Sequence, residues 1–355
     1  MLPGAGAPGP PLFPVSATRF APAAARPGAP YFAAGLFFCR GAAHHRAIRR
    51  QGGSGVRVLV TGASGYIGGA LVTALADAGH AVVAQLRRPP APAAACDSLL
   101  LDLRRGVPPA ALAGIDTVYH LAGIAHRRAA ADDYAQVNTA ATLELADSCA
   151  AAGVRRFVFV SSSKAALAAA GDAAADAYAL SKWRAEEGLR RRARETALEI
   201  VLLRPALVYA LPPVGNLRQL QRWVRLRLPA PPAGGARPMI ARDDLLRLLL
   251  ALATVPVDSP LTLTAGDGEA YSSRRIHRAL CDAGGRPPLL PSPPPWCWRL
   301  ALRALEYLSR AAPGSLWARL LAQEDCSASD LQGLCGVAPR WQLERYLRAQ
   351  RARRR

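Results

Sequence analysis

Apolar runs and amphipathic stretches alternate along the chain from residue 56 onward, and this alternation predicts strands and helices in turn. The run Val56–Val60 is rich in β-branched residues and is typical of a buried parallel strand. Further strands are predicted at residues 81–86, 99–101, 116–121, 155–160 and 198–203, and helices at residues 70–78, 134–151 and 175–194. Strands that alternate with helices in this way indicate an α/β fold with a doubly wound parallel sheet covered on both faces.

The alternation ends after Val208, where Pro-rich loops and short helices take over. We therefore expect a first domain at residues 56–208 and a small C-terminal lobe at residues 209–347 that closes over a substrate. An Arg-rich tail at residues 348–355 follows the lobe.

Residues 1–55 are rich in Ala, Pro and Gly and show neither a helical nor a strand period, which predicts a disordered leader. Such a segment could also be an organelle transit peptide, or an upstream extension of a domain that starts near residue 56. The apolar stretch at residues 245–253 is short and contains an arginine, so the sequence predicts no membrane-spanning helix.

The charge of the chain is strongly positive, with 45 Lys and Arg against 25 Asp and Glu and a formal net charge of +20. Much of the excess lies at the ends: residues 1–55 hold six Arg and no acid, and residues 340–355 hold seven Arg and one Glu. Because aromatic and basic residues do not interleave in a pattern that would support dedicated nucleic-acid binding, we expect no specific nucleic-acid partner. Seven scattered cysteines without a Cys-x-x-Cys pair predict neither a disulfide framework nor a metal site, and they favour a reducing cytoplasm.

A glycine-rich loop, Thr61–Gly68, directly follows the first predicted strand and precedes a predicted helix. Glycines at positions 62, 65 and 68 permit a tight turn, a close approach of the backbone to a diphosphate, and close packing of helix on strand. The diphosphate would lie at the helix N-terminus, where free amide groups favour anions. Strand, loop and helix in this order predict a dinucleotide-binding site.

Lysine is rare in this chain: of 45 basic residues only Lys164 and Lys182 are lysines, and the other 43 are arginines. Lys182 follows Tyr178 by four residues, so both side chains lie on one face of a helix. An ammonium beside a phenol favours the phenolate and lowers the tyrosine pKa, which would make Tyr178 a general base.

These segments together resemble the extended short-chain dehydrogenase/reductase family, in particular its NAD-dependent epimerase/dehydratase branch that acts on nucleotide sugars. The resemblance covers about residues 56–347 and implies a Rossmann-like NAD(P)-binding domain. It implies that Ser162, Tyr178 and Lys182 are catalytic, with Ser161 or Ser163 as alternatives one register away. The cofactor contacts that it implies are Gly62, Gly65, Tyr66, Ile67, Gly68, Asp102, Leu103, Leu121, Ala122, Gly123, Asn138, Tyr178, Lys182 and Pro205.

The cofactor is expected to be NAD or NADP. An NAD site usually presents a carboxylate at the end of the second strand, whereas an arginine there accommodates a 2′-phosphate. The segment Gln85–Arg88 offers no acid, so Arg87 and Arg88 favour NADP, while many relatives hold NAD.

The resemblance also implies a substrate and a reaction. Asn216, Leu217 and Arg237 match positions that contact the nucleotide sugar, and Ser162 would bind the reacting hydroxyl. Lys164 stands where dehydratases of the family carry an acid, so dehydration is not expected. We expect a UDP-hexose 4-epimerase that acts through a 4-keto intermediate.

Two alternatives stay open. The first is an NADPH-dependent reductase of a 4-keto nucleotide sugar or of another carbonyl compound. The second, from a different class, is a non-catalytic dinucleotide-binding subunit. In each case the resemblance implies a homodimer, formed through a helix bundle that includes the helix of Tyr178.

Overall fold

The computed structural model describes residues 37–39, 55–88, 96–125, 129–172, 175–309, 314–321, 323–324 and 328–352. The predicted leader therefore lies outside the described residues, except for Phe37–Cys39 and Gly55, and so do the last three residues of the tail. No helix among the described residues is long and apolar enough to cross a membrane.

Eleven strands and twelve α-helices are found in the described residues. The strands are β1 Phe37–Cys39, β2 Arg57–Thr61, β3 Ala81–Leu86, β4 Asp97–Leu100, β5 Thr117–His120, β6 Arg156–Val160, β7 Glu199–Pro205, β8 Leu207–Tyr209, β9 Arg237–Ala241, β10 Leu261–Ala265 and β11 Ala270–Tyr271. The helices are α1 Gly68–Asp77, α2 Ala131–Tyr134, α3 Ala141–Ala151, α4 Lys164–Ala169, α5 Ala177–Glu195, α6 Gly215–Arg225, α7 Arg242–Ala251, α8 Ser273–Gly284, α9 Pro295–Ser309, α10 Ser315–Leu321, α11 Leu331–Cys335 and α12 Leu343–Ala352.

The main sheet has the strand order β1-β4-β3-β2-β5-β6-β7-β10. Seven of these strands are parallel, and only β1 runs antiparallel, against β4. The chain moves outward from β2 in one direction through β3 and β4, and then in the other direction from β5 onward. The predicted Rossmann-like, doubly wound parallel sheet is confirmed, and its switch point lies between β2 and β5.

Successive side chains of each strand point to opposite faces of the sheet, and helices cover both faces. On one face Val58 and Val60 pack in a cluster with side chains of α1 and α7, including Leu71 and Leu245. On the other face Leu59 packs in a cluster with side chains of α3 and α5. The near-continuous apolar runs of the sequence follow from this double burial.

A second, three-stranded sheet of order β11-β9-β8 anchors the C-terminal part of the chain. β8 and β9 are parallel, and β11 is antiparallel to β9. Helices α6, α8 and α12 contribute to an apolar cluster around this sheet. This part of the chain contains more regular structure than the Pro-rich pattern predicted.

The boundary predicted at residue 208 does not separate the two sheets in sequence. β10, at Leu261–Ala265, returns to the main sheet and pairs with β7, and α7 packs beneath that sheet. The alternation Leu-Thr-Leu-Thr in β10 is compatible with a strand but does not say which sheet it joins, so only pairing decides where it lies. Likewise Phe37–Cys39, within the leader expected to be disordered, forms strand β1.

Candidate active site

The glycine loop between β2 and α1 is tightly constrained. Gly62 has a φ of +67°, a conformation that favours glycine. A Cβ atom at Gly62 would lie 2.8 Å from the amide nitrogen of Ala122, and one at Gly68 would overlap the carbonyl oxygen of Gly62. The first and last glycines of the loop are therefore required by close packing of backbone on backbone.

The N-terminus of α1 offers free amide groups next to this loop. No side chain of the described residues caps it, and its first turn contains no acidic residue. Uncapped amides and the helix dipole favour an anion at this point, so the loop fits the diphosphate of a dinucleotide.

Two buried donors near the loop have no hydrogen-bond partner among the described residues: the hydroxyl of Tyr66 and Nε of Arg242. The Arg242 guanidinium lies over the Tyr66 ring, 5.0 Å from its centroid. Arg242 begins α7 and was not singled out from the sequence, where one arginine among 43 carries no signal. Its unpaired donor and its charge add to the fit of an anionic ligand.

A buried hydrogen-bond chain fixes the segment Leu121–Gly123 that follows β5. The Thr142 hydroxyl donates to the carbonyl of Asn138, at 2.8 Å, so Nε2 of His120 must donate to Thr142, at 2.9 Å. The other ring nitrogen, Nδ1, then accepts from the hydroxyl of Thr61, at 2.8 Å. Burial lowers the pKa of His120 to about 3, which keeps the ring neutral for this arrangement.

The hydrogen bonds end on the segment that holds the expected cofactor contacts Leu121, Ala122 and Gly123, because the amide of Ala122 donates to the Thr61 hydroxyl at 3.3 Å. His120, at the end of β5, adjoins this segment. Its two threonine partners lie 59 and 22 residues away in sequence, and no local pattern signals them.

Asn138 is fully buried and joins three parts of the site. Its side-chain oxygen accepts from the amide of Ile124 at 2.8 Å, and its amide group donates to Ile124 O at 3.1 Å and to the hydroxyl of Ser181 at 3.0 Å. It lies in a π-helical stretch, Ala135–Ala140, inside the helix predicted at residues 134–151. Such π-helical turns often occur at functional sites. A Cβ at Gly123 would lie 2.9 Å from Oδ1 of Asn138, so the two are closely packed.

The side chain of Ser162, at the end of β6, interacts with the phenol of Tyr178 at the start of α5. Burial raises the pKa of Tyr178 above its ordinary value of 10.0, and the interaction with Ser162 partly opposes this rise. The expectation that Lys182 brings this pKa toward neutrality is thus not met by the groups of the protein itself.

The physical reason lies in the position of Lys182. Its ammonium donates to the carbonyl of Val160 at 2.9 Å and lies 4.5 Å from the centroid of the Phe159 ring. Burial lowers the pKa of Lys182 to about 8, while the carboxylate of Glu186 opposes that shift. Lys182 also lies beside Gly123, whose Cβ position would be 3.5 Å from its Nζ atom.

The three neighbouring serines have different environments. The hydroxyl of Ser161 donates to the buried carboxylate of Glu186 at 2.6 Å. The amide of Ser163 donates to the carbonyl of Pro205 at 3.0 Å, and its side chain is buried. Of the three registers left open by the sequence, Ser162 is the one whose hydroxyl meets Tyr178.

Glu186 anchors α5 to the sheet and was not identified from the sequence. It is fully buried, and Arg204 of β7 donates to both of its carboxylate oxygens, at 2.9 Å and 2.6 Å. Arg190 donates to the same carboxylate at 3.1 Å. The Leu-Arg-Pro motif around Arg204 therefore holds the helix that carries Tyr178 and Lys182.

The adenosine side of the predicted cofactor site is lined by basic groups. Arg87 and Arg88 are exposed at the end of β3. Arg104 forms an ion pair with Asp102, and it lowers the pKa of that carboxyl to about 2, with a smaller contribution from Arg87. Gln85 donates to the carbonyl of Leu101 at 2.8 Å, which ties β3 to the Asp102–Leu103 segment.

The predicted substrate residues lie in the C-terminal part. Asn216 is exposed in the first turn of α6, Leu217 is buried beside it, and Arg237 begins β9. Lys164 forms an ion pair with Asp176, at 3.0 Å, and Asp176 in turn caps α5.

No cluster of three or more His, Cys, Asp or Glu side chains that could hold a metal ion occurs among the described residues. The Ser162, Tyr178 and Lys182 side chains offer proton transfer by a phenol, next to a loop and helix terminus that fit a dinucleotide.

Comparison with known proteins agrees with this geometry. Residues 58–226 match the model of the NAD dependent epimerase/dehydratase family. A UDP-glucose 4-epimerase of Vibrio cholerae is 30% identical over 180 residues, which cover 47% of this chain and 55% of that protein. A 3 beta-hydroxysteroid dehydrogenase/Delta 5-->4-isomerase of Mycobacterium tuberculosis is 38% identical over 138 residues, or 32% of this chain and 35% of that protein. The matches thus span about half, or less, of these relatives.

Solved structures are similar over more of the chain. MoeE5, in complex with UDP-glucuronic acid and NAD, is 25% identical with a TM-score of 0.66, over 84% of this chain and 99% of that one. A UDP-glucuronic acid 4-epimerase from Bacillus cereus, in complex with NAD, is 20% identical with a TM-score of 0.64, over 84% of this chain and 98% of that one. At this level of identity, the likeness to the Bacillus cereus enzyme shows the fold alone.

Proposed function

Since residues 58–226 belong to the NAD dependent epimerase/dehydratase family, we propose that the chain is an NAD(P)-dependent nucleotide-sugar epimerase. The specific proposal is a UDP-hexose 4-epimerase that acts through a 4-keto intermediate. The observation that carries it is the interaction of the Ser162 side chain with the phenol of Tyr178, one helical turn before the buried ammonium of Lys182.

In the proposed reaction the phenolate of Tyr178 takes the proton of the sugar C4 hydroxyl. Ser162 donates a hydrogen bond to the same oxygen and holds it in line for the transfer. Lys182 holds the ribose next to the reacting carbon, and Asn138 fixes the backbone of Ile124 behind it. The bound dinucleotide supplies a hydride acceptor and a positive charge beside the phenol. That charge acts in the direction needed to lower the pKa that burial raises.

Epimerisation then requires that the 4-keto sugar turn before it is reduced on its other face. Asn216, Leu217 and Arg237 are proposed to hold the nucleotide diphosphate while the sugar turns. Dehydration is not proposed, because the position of Lys164 is occupied by a cation paired with Asp176 rather than by an acid.

The cofactor preference is a separate proposal. NADP is supported by Arg87 and Arg88, two exposed cations directly after β3, and by the absence of an acid in the segment Gln85–Arg88. MoeE5 and the Bacillus cereus epimerase were solved with NAD. Dissociation constants for NADP and NAD, measured for the natural chain and for Arg87→Ala with Arg88→Ala, test this point. Tighter binding of NAD by the natural chain would overturn the preference for NADP.

The reductase is the second candidate, and the same two arginines favour it, because reductases commonly consume NADPH. The test incubates the purified protein with UDP-glucose or UDP-galactose and no added cofactor, and follows the products by chromatography. Interconversion of the two sugars supports the epimerase. Turnover that needs added NADPH and a 4-keto sugar supports the reductase, and no turnover with either supports a non-catalytic subunit.

Tyr178→Phe tests the role of the phenol directly. We expect turnover to fall about 10³-fold while binding of the dinucleotide is unchanged. Tyr307→Phe is the matched control, since Tyr307 is 87% exposed on α9. Equal turnover of the two variants would contradict the assignment of Tyr178.

The remaining proposals concern the setting of the enzyme. A homodimer formed through the helix bundle of α3 and α5, and a cytoplasmic location, both stay predictions. Analytical ultracentrifugation of the full chain measures the first, and fractionation of cells measures the second.

A further inference from the structure

Large apolar side chains are exposed on one part of the C-terminal lobe. Among the described residues, nine large hydrophobic side chains are about half exposed or more, and all but Leu334 fall near the end of α6 or between residues 289 and 308. These eight are Leu226, Leu289, Leu290, Trp296, Leu300, Leu305, Tyr307 and Leu308. Their concentration in two short segments distinguishes them from the scattered apolar residues of an ordinary surface.

The two segments form one surface. The amide of Leu289 donates to the carbonyl of Arg227 at 3.0 Å, directly after Leu226. The rings of Trp223 on α6 and Trp298 on α9 lie 5.8 Å apart. We call the exposed side chains of residues 218–227 and 286–308 the α6–α9 surface.

On α9 the exposed apolar residues follow the helical period. Trp296, Leu300, Tyr307 and Leu308 lie on one face, and they are 67%, 66%, 87% and 79% exposed. The opposite side of the helix carries its buried side chains, Trp298 and Glu306, and the carboxylate of Glu306 accepts from the backbone amides of Gly314 and Leu316. The exposed face is thus the outer face of a docked helix.

The charge of the α6–α9 surface has a single sign. Residues 214–229 and 286–309 contain seven arginines, and their only acid is the buried Glu306. The seven are exposed: Arg218, Arg222, Arg225, Arg227, Arg286, Arg299 and Arg303. Arg299 and Arg303 follow Trp296 by three and seven residues, so they share the apolar face.

We propose that the α6–α9 surface binds the surface of a lipid bilayer that contains anionic phospholipid. A helix with Trp, Tyr and Leu on its outer face and arginines among them is suited to lie in the plane of the interface. Arginine stems pack along the apolar surface while the guanidinium groups reach lipid phosphates. The positive rim adds attraction to anionic lipid.

A second copy of the chain is a less suitable occupant. In a two-fold contact the α6–α9 surface of one copy would face the same surface of the other. Such a contact would bring the Arg299 and Arg303 side chains of the two copies together. Residues 1–55 of the chain, with six arginines and no acid, would also meet a surface of like charge.

Co-sedimentation of the full chain with vesicles tests the proposal. We expect binding to vesicles of phosphatidylcholine with about a third phosphatidylglycerol, little binding to phosphatidylcholine alone, and weaker binding at high salt. The double variant Leu300→Ser with Leu308→Ser, and the double variant Arg299→Gln with Arg303→Gln, should each lower the partition coefficient about tenfold or more.

Matched controls come from the same chain. Among the described residues, Leu334 is the one large hydrophobic side chain that is about half exposed and lies outside the α6–α9 surface, and Leu334→Ser alters it. Arg105→Gln with Arg348→Gln removes two exposed cations elsewhere. Both should bind vesicles as the natural chain does, and unfolding midpoints measured in parallel identify any variant that is misfolded.

Three results would overturn the proposal. The first is absence of binding to either vesicle, and the second is equal binding by the Leu300, Leu308 double variant and the Leu334→Ser control. In the third, the natural chain does not bind vesicles but self-associates in analytical ultracentrifugation, and the double variant Leu300→Ser with Leu308→Ser does not self-associate. This result would assign the surface to a contact between copies of the chain. Vesicle binding does not depend on catalysis, so its failure is distinguishable from failure of the proposed epimerase.

Discussion

Glu186→Gln should destabilise the protein far more than the same substitution one residue later. Glu186 is fully buried and is held by two arginines and a serine hydroxyl: Arg204 at 2.9 Å and 2.6 Å, Arg190 at 3.1 Å, and Ser161 at 2.6 Å. Glu187 is paired with Arg190 at 2.7 Å, but its side chain is 53% exposed. The two positions therefore differ mainly in burial.

The magnitude follows from that difference. Removing one partner of a buried ion pair costs about 3 to 5 kcal/mol, because the other charge stays buried without compensation. The Arg204 side chain is only 13% exposed and would lose the carboxylate to which it donates at 2.9 Å and 2.6 Å. The exposed Glu187 pair contributes about 0.5 kcal/mol or less. We expect a loss of about 3 kcal/mol for Glu186→Gln, which is a change of about 150-fold in the unfolding equilibrium constant.

Urea unfolding followed by circular dichroism measures the effect. For a slope of about 3 kcal/mol per M, the midpoint of Glu186→Gln should fall by about 1 M, and that of Glu187→Gln by about 0.2 M or less. Equal midpoints of the two variants would refute the reasoning that the buried carboxylate anchors α5. Because the same helix carries Tyr178, turnover of Glu186→Gln measured well below its midpoint should also fall, whereas turnover of Glu187→Gln should not.

Three further predictions concern the loop, the catalytic pair and the C-terminal sheet. Gly68→Ala places a Cβ atom on a loop carbonyl and should abolish dinucleotide binding measured by calorimetry, whereas Gly284→Ala, which meets no atom within 4 Å, should bind normally; normal binding by both would contradict the packing argument. Ser162→Ala should lower kcat about 10²-fold with an unchanged unfolding midpoint, whereas Ser161→Ala should lower the midpoint; the reverse pattern would exchange their roles. Burial raises the pKa of Asp267 from 3.8 to about 6. Between pH 3.8 and 6 the folded state therefore holds a proton on Asp267 that the unfolded state has lost. The stability that this group contributes is present below pH 3.8 and is lost as the pH rises through 6. After allowance for partial exposure the effect is about 1 kcal/mol between pH 4 and 7, and Asp267→Asn should lose it in urea unfolding at the two pH values; an unchanged dependence would refute the assignment.

Much of the fold could be predicted from local pattern. The run Val56–Val60 and the strands after it are apolar on both faces because a parallel sheet between two helical layers buries both faces. The loop from Gly62 to Gly68 could be placed at the switch point because strand, glycines and helix follow one another without interruption. Strands with weak local patterns were missed, such as β10 and the edge strand β1, because their partners decide them.

The candidate site shows the same division. Tyr178 and Lys182 could be paired from a spacing of four, since a helix alone sets that geometry. The pKa of Tyr178 could not, because burial in the folded protein outweighs the expected influence of the ammonium, which bonds to Val160 instead. Glu186 and Arg242 carried no signal, because a buried acid and an unpaired arginine look like surface residues in a sequence this rich in charge.

The sequence by itself thus determined the order of strands and helices, the glycine loop, and the placing of Tyr178 and Lys182 one helical turn apart. Each of these depends on residues close together in the chain. Only the tertiary structure decided which of three serines meets Tyr178, which side chains hold His120 neutral, and which apolar residues stay exposed on α9. Those outcomes depend on desolvation and on contacts between residues far apart in sequence. Neither burial nor such contacts exist until the sheet has closed around its core.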